Sequence, residues 1–226
     1  MSVCERNIYE RANLRVIEAF VKPDTVYFDI GANIGLTSVP VLCDFPSCKV
    51  VSFEPSPNAL PYLSKTHAGS PYRDRWQIIG KAVGREMGTV NFYTYSAEGS
   101  PCDGLQDTGR KNLQQVIPVP MTTLDHEWKS IGSSPVSFIK MDVEGAELNV
   151  LRGGQECVQN QRPVILTEWN AVNLKAHSCP PESLLAWAKG SSYSVRNAEN
   201  GVHVNEANSL KLQMLLTENF LLVPKE

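Results

Sequence analysis

Several kinds of feature are scarce in this chain, and each scarcity removes a class of protein. Its 226 residues hold six cysteines (Cys4, Cys43, Cys48, Cys102, Cys157 and Cys179) with no CxxC pair among them, which argues against zinc knuckles and thioredoxin-type redox motifs. A chain of this size builds a core without staples, so free thiols are expected. No apolar run approaches the roughly 20 residues of a membrane-spanning helix, and the opening Met1-Ser2-Val3-Cys4-Glu5-Arg6 lacks the apolar centre of a secretory signal. The expectation is a soluble, cytoplasmic protein without a membrane partner. Basic charge is not in excess either: 21 Lys and Arg against 24 Asp and Glu leave a net charge of −3. That balance argues against a nucleic-acid groove, and only Arg73, Arg75 and Lys81 suggest a local basic patch. Repeats and low-complexity tracts are missing. With 42% hydrophobic and 20% charged residues, the composition is that of one globular domain over residues 1–226.

What the chain does have is organised around Thr25 to Gly35. A β-branched and aromatic run, Thr25-Val26-Tyr27-Phe28, stops on Asp29, and Gly31 and Gly35 follow before an apolar helical pattern. This order spells strand, tight turn, helix. Glycines let the backbone approach a ligand, and the helix start presents unpaired N–H groups to it. Ahead of it, Glu5 to Phe20 reads as a leading helix within residues 1–22, closed by Pro23. Pro40 lies inside the helix drawn after Gly35, so that helix either kinks or starts later.

Lys49 to Glu54 is a second strand ending on an acid, nineteen residues beyond Gly35. In a doubly wound sheet such an acid sits where the ribose hydroxyls of a bound nucleoside fall. Pro55 breaks the chain there, and Ala59 to His67 reads as a helix. Trp76 to Val83 reads as a third strand whose end, Lys81 and Ala82, would neighbour the base of that nucleoside. Gly88 to Tyr95 alternates like a hairpin strand, residues 96–112 are polar, and Val116 to Val119 returns as a strand. This insertion makes residues 96–112 a candidate substrate lid. Thr122 or Thr123 is the N-cap of a short helix.

A second informative stretch runs from Val136 into Asp142, Glu144 and Glu147, with Gly145 opening a helix. Clustered acids at a strand end need charged partners or a task. Pro163 to Glu168 is a fifth strand, Pro181 to Lys189 a helix, and Tyr193 to Val195 and Asn219 to Val223 are the last strands. The alternation predicts an α/β, mostly parallel sheet with ligands at its carboxyl edge. Asp29, Glu54, Asp142 and Glu168 should line one crevice there.

The strings DIGANIG from Asp29, SFEPSPNAL from Ser52, KAVGREMG from Lys81, TTLD from Thr122, FIKMDVEGAELNVLRGG from Phe138 and PVILTEWN from Pro163 together resemble the FkbM family of S-adenosylmethionine-dependent methyltransferases. The resemblance covers roughly Thr25 to Asn170. It implies a class I methyltransferase (Rossmann-like) fold, with a seven-stranded sheet, a reversed last strand, helices on both faces and the hairpin inserted before the fourth main strand. It also implies O-methylation of a hydroxyl on a sugar, polyketide or other small molecule. By position, Asp29, Gly31, Asn33 and Gly35 would hold the amino-acid end of the cofactor, Glu54 its ribose with Pro55 beside it, and Asp142 would border the transferring methyl.

Methyl transfer aligns acceptor oxygen, methyl carbon and sulfur and removes a proton from the acceptor. Asp142, Glu144, Glu147 and the histidines are candidate bases, with Asp142 and Glu144 nearest the expected crevice. His67, His126, His177 and His203 belong to no motif and read as ordinary residues. Asp142, Glu168 and Asn170 offer oxygen ligands for a divalent cation, a placement similar to the catechol O-methyltransferase group; the preferred reading makes Glu168 a hydrogen-bonded crevice residue without metal. Two rivals stand beside the methyltransferase. A nicotinamide-dependent oxidoreductase is disfavoured by GxxxG in place of GxGxxG and by the lack of a Tyr-x-x-x-Lys pair. A non-catalytic cofactor-binding relative is the other.

Overall fold

The structure is a computed structural model, and it describes residues 11–95, 102–110 and 112–225. The leading helix is seen as α1 (Arg11–Phe20); the part of it expected before Arg11 lies outside the described residues. The main sheet then forms from β1 (Val26–Ile30), β2 (Lys49–Phe53), β3 (Trp76–Ile79), β7 (Val136–Met141), β8 (Val164–Glu168), β9 (Tyr193–Asn197) and β10 (Asn219–Pro224). Their spatial order is β3-β2-β1-β7-β8-β10-β9. The first five are parallel, and β10 runs antiparallel to both β8 and β9. This is the expected seven-stranded sheet with one reversed strand. Chain direction reverses its spread at β1 and β7, the switch point at which ligands enter open α/β sheets.

Strand alternation builds two cores. Val26, Phe28 and Ile30 pack with Leu124, Trp128 and Leu148 on one face, while Tyr27 packs with Ile17, Val41 and Leu63 on the other. The helices behind these contacts are α2 (Ser38–Asp44), α3 (Leu60–Gly69), α4 (Leu124–Ser130) and α5 (Glu147–Gly153). Pro40 is the third residue of α2, so its missing N–H falls in the first turn, where proline is tolerated, and the later start removes the conflict. Thr123 caps α4 by accepting from the His126 N–H at 3.1 Å. Three short helices escaped the sequence reading: α6 (Gln155–Gln161), α7 (Ala171–Ala176) and α9 (Ala207–Gln213). The helix expected at Pro181 is α8 (Ser183–Gly190).

The third strand needs correction. Only Trp76–Ile79 joins the main sheet; Gly80 and Lys81 turn the chain, and β4 (Ala82–Val83) pairs parallel with β6 (Leu113–Thr122) in a second sheet. The antiparallel hairpin of β5 (Gly88–Tyr95) and β6 completes that three-stranded sheet in the order β4-β6-β5. The insertion is therefore a small roof over the carboxyl edge. The expected basic patch also disperses. Arg75 donates inward to the Leu42, Phe45 and Cys48 carbonyls, closing the end of α2, and Lys81 pairs with Glu127 at 3.1 Å. Among the described residues, Cys43, Cys48, Cys102, Cys157 and Cys179 are free thiols.

Candidate active site

At the carboxyl edge the ends of β1, β2, β3 and β7 are laced by backbone bonds: Gly31 and Ala32 donate to the Phe53 carbonyl, Glu54 to that of Ile79, and Asp142 to that of Ile30. The contact between β1 and β7 is close enough that a Cβ on Gly31 would stand 1.8 Å from the Asp142 carbonyl oxygen, with φ at +78°. Only glycine meets both demands. Above this seam lies a cavity of about 300 Å³. Gly31, Ala32 and Asn33 form one wall, Glu54 and Pro55 a second, and Lys140, Asp142, Val143 and Glu144 a third. Lys81, Ala82, Phe92, Asp103, Gly104 and Leu105 of the roof complete it.

Glu54 is aimed by its neighbours. Its carboxylate accepts from the Asn33 N–H at 2.7 Å and the Ser56 N–H at 2.8 Å, and burial pushes its pKa up to about 7. Two backbone bonds leave acceptor capacity facing the cavity. Asn33 itself sits at φ +50°, turned by the strand-to-helix corner.

Asp29 and Gly35 are placed differently from expectation. Asp29 is fully buried on the α2 face, one layer behind the cavity wall, where its Oδ2 accepts from Thr37 Oγ1 at 2.7 Å and Ser38 Oγ at 2.6 Å. Period-two alternation explains this: Asp29 follows Tyr27 onto the face that α2 covers. Gly35 faces Trp76 and Leu63, with φ at +87°, and serves the turn and its packing. Gly31 and Asn33 are the members of that motif on the cavity surface.

The acids after β7 divide by role. Asp142 is partly exposed at 31%. Glu144 holds φ +55°, a left-handed conformation costly for a residue that carries a Cβ and common at functional corners. Burial, then the Asp142 charge, push its pKa up to about 8, against the opposing effect of Arg110. Arg110 Nη1 lies 2.9 Å from Glu144 Oε2 and 3.2 Å from Asn173 Oδ1. Glu147 turns away: it is 1% exposed, and its Oε1 accepts from the Val143 and Gly145 N–H groups at 3.2 Å each, bracing the corner from beneath. Burial raises its pKa to about 7.

Asp142, Glu144 and Glu168 bring carboxylate oxygens within 4.8 Å of one another. Asn170, the third member of the expected oxygen set, has its Oδ1 committed to backbone N–H groups instead. Its Oδ1 caps α7 through the Val172 and Asn173 N–H groups, and its Nδ2 donates to Glu218. Glu168 accepts from Asn173 Nδ2 at 3.4 Å and does not line the cavity; burial, then Asp142 and Glu144, push its pKa up to about 10. Two positive groups meet this trio, the Arg110 guanidinium at Glu144 and the Lys140 ammonium 3.5 Å from Asp142 Oδ2.

Arg110, Asp103 and Asn173 were missed by the sequence reading. They lie on a loop or a short helix without a motif; the polar character of residues 96–112 was the only signal for Asp103 and Arg110, and Asn173 on α7 had none. Residues 96–101 and 111 of that lid lie outside the described residues. Cys102 to Arg110 fold down: Asp103 accepts from the Tyr95 N–H at 2.8 Å, Ser56 Oγ at 2.5 Å and Asn58 Nδ2 at 3.1 Å. His177 was read as ordinary, yet it packs against the corner, since a Cβ on Gly145 would meet its ring at 2.6 Å.

Comparison with known proteins gives the same answer from two directions. The description "Methyltransferase FkbM domain" matches residues 29–184. The curated 2-O-methyltransferase NoeI of Sinorhizobium fredii is 25% identical over 187 residues, covering 77% of this chain and 75% of that protein. The methyltransferase sdnD of Sordaria araneosa is 23% identical over 174 residues, 65% of this chain and 67% of its own. Among solved structures, the methyltransferase FkbM of Methylobacillus flagellatus superposes with a TM-score of 0.54 at 17% identity over 95% of this chain. This chain spans 46% of that protein's length, and the likeness concerns the fold.

Proposed function

The chain belongs to the FkbM methyltransferase family, and from that premise we propose that it moves a methyl group from S-adenosylmethionine to a hydroxyl oxygen of a small molecule, a sugar or secondary metabolite rather than a nucleic acid. The observation that carries this reading is the composition of the cavity wall. A glycine cradle that a Cβ would fill, a carboxylate aimed by two backbone donors and an acidic corner meet around about 300 Å³. Such a donor and acceptor set fits an adenosyl amino acid: carboxylate for ribose hydroxyls, close backbone for the methionine end, and an apolar roof for the base.

In this reading Glu54 binds the ribose. Gly31 to Asn33 and Asp142 hold the amino-acid end, and Ala82, Phe92 and Leu105 flank the base with Lys81 at the rim. The bound cofactor supplies an electrophilic methyl on a sulfonium. Glu144 takes the proton of the acceptor hydroxyl at its carboxylate, because a pKa near 8 matches proton acceptance near neutrality better than an ordinary carboxylate does. Asp142 borders the acceptor side, and the roof excludes water. Among the described residues no helix is long and apolar enough to cross a membrane.

Two measurements test the reading. Calorimetry should show binding of S-adenosylmethionine and none of NAD; the reverse result overturns it. Labelled-methyl transfer into a library of hydroxyl compounds should give a product, and Glu144→Gln should lower kcat by about 100-fold, the size typical of a lost general base, while cofactor affinity is kept. A variant with unchanged kcat removes Glu144 from the chemistry.

A further inference from the structure

Lys140 is the member of the FIKMDVEGAE stretch to which the proposed mechanism gives no task. It is the penultimate residue of β7, opposite Asp29 in the register with β1, and its side chain is only 9% exposed. Its Nζ stands 3.2 Å from the Gly31 carbonyl oxygen, 3.5 Å from Asp142 Oδ2 and 3.8 Å from Asp29 Oδ1. It also lines the cavity. A buried ammonium is a costly way to brace a turn, since a neutral donor would satisfy the Gly31 carbonyl at lower desolvation cost. Thr37 and Ser38 donate to Asp29 Oδ2, while the buried Oδ1, which has no hydrogen-bond partner among the described residues, faces the ammonium at 3.8 Å. Beyond offsetting the Asp29 and Asp142 carboxylates, a lysine here sets a positive charge in the wall of a pocket whose proposed occupant is itself a cation.

We propose that Lys140 is an electrostatic selector of the cofactor's charge state, its ammonium disfavouring the sulfonium form of the ligand relative to the neutral thioether left after methyl transfer. The inference rests on the S-adenosylmethionine reading above. In the transfer the oxygen–carbon bond forms as the carbon–sulfur bond breaks, the bonding pair stays on sulfur, and the acceptor proton passes to Glu144. Positive charge leaves sulfur during that displacement, so Lys140 is less opposed in the transition state than in the ground state. Interactions that improve along the reaction raise the rate, and uniform ones do not. The same charge weakens the ground-state preference for the sulfonium.

Calorimetry with S-adenosylmethionine and S-adenosylhomocysteine on the full chain reads this directly, without turnover. Wild-type protein should bind the thioether at least as tightly as the sulfonium. Lys140→Gln keeps a donor toward the Gly31 carbonyl and should raise the sulfonium-to-thioether affinity ratio by about tenfold, the effect of one unit charge across a partly wet pocket. Lys140→Arg should leave the ratio within about twofold of wild type, because the charge stays. If both affinities of Lys140→Gln move together and the ratio does not change, Lys140 is a strut and the proposal is overturned. If the variant does not fold, wild type still decides: a preference for the sulfonium of more than about tenfold overturns the proposal, as a fixed cation at the site opposes it. Wild-type protein that binds neither ligand overturns the cofactor reading itself, a result distinct from an unmoved ratio.

Discussion

Gly31 shows how one residue type can be dictated by two strands at once. Its φ of +78° suits glycine, and the 1.8 Å approach to the Asp142 carbonyl leaves no room for a methyl. Gly31→Ala should therefore destabilise the fold by about 3 kcal/mol or more, the upper part of the range for single substitutions. Gly190 at the end of α8 has open space around it, and Gly190→Ala should stay within about 0.5 kcal/mol of wild type. Urea unfolding of both compares them; equal effects would mean the seam between β1 and β7 can part freely. At this scale the sequence was informative wherever backbone geometry limits residue choice. Gly31 and Glu54 could be placed at the cavity because turns and strand ends accept few residue types, and Asn33, to which only the resemblance pointed, lines it beside them. Arg110 and Asn173 could not, because Arg110 reaches Glu144 and Asn173 across 34 and 63 residues of sequence through tertiary geometry alone.

Among the elements, the β5–β6 hairpin and the loop between them differ in how they are held. The hairpin follows from alternation, but the break after Ile79 that feeds β4 into the second sheet could not be read, since Ile79 to Val83 is apolar enough to continue one strand. Tertiary pairing with β6 decided it. The loop segment Cys102 to Arg110 is pinned by Asp103 at one end and by Arg110 at the other. Arg110→Ala should loosen the second anchor, seen as faster amide exchange across Asp103 to Gly109 by mass spectrometry, with exchange in β1 and β7 unchanged. It should also act on the proposed base. The guanidinium opposes the rise in the Glu144 pKa, so its removal should move the acidic limb of the kcat/KM profile to higher pH. An unmoved limb with faster exchange would leave Arg110 a loop anchor only.

For the whole molecule, a carboxyl edge crowded with acids ties the active site to stability. Burial raises Glu54 and Glu147 to about 7 and Glu144 to about 8, while Glu168 rises to about 10, all from an unfolded value of 4.5. Between pH 4.5 and these values the folded protein binds more protons than the unfolded chain does. Stability of the ligand-free protein should then fall as pH rises across that window, the opposite of the usual salt-bridged carboxylate, and it should level off below pH 4.5 where both states are protonated. Glu168→Gln isolates one contributor. The amide keeps an acceptor toward Asn173 but cannot ionise in the unfolded chain, so this variant should exceed wild type by about 1 kcal/mol or more at pH 8. The difference should shrink toward zero near pH 4.5. Thermal melts of the two proteins from pH 4.5 to 8 measure it. A difference that does not change with pH would mean that Glu168 stays ionised in the fold, and that the acid trio beside Arg110 carries more negative charge than its burial implies.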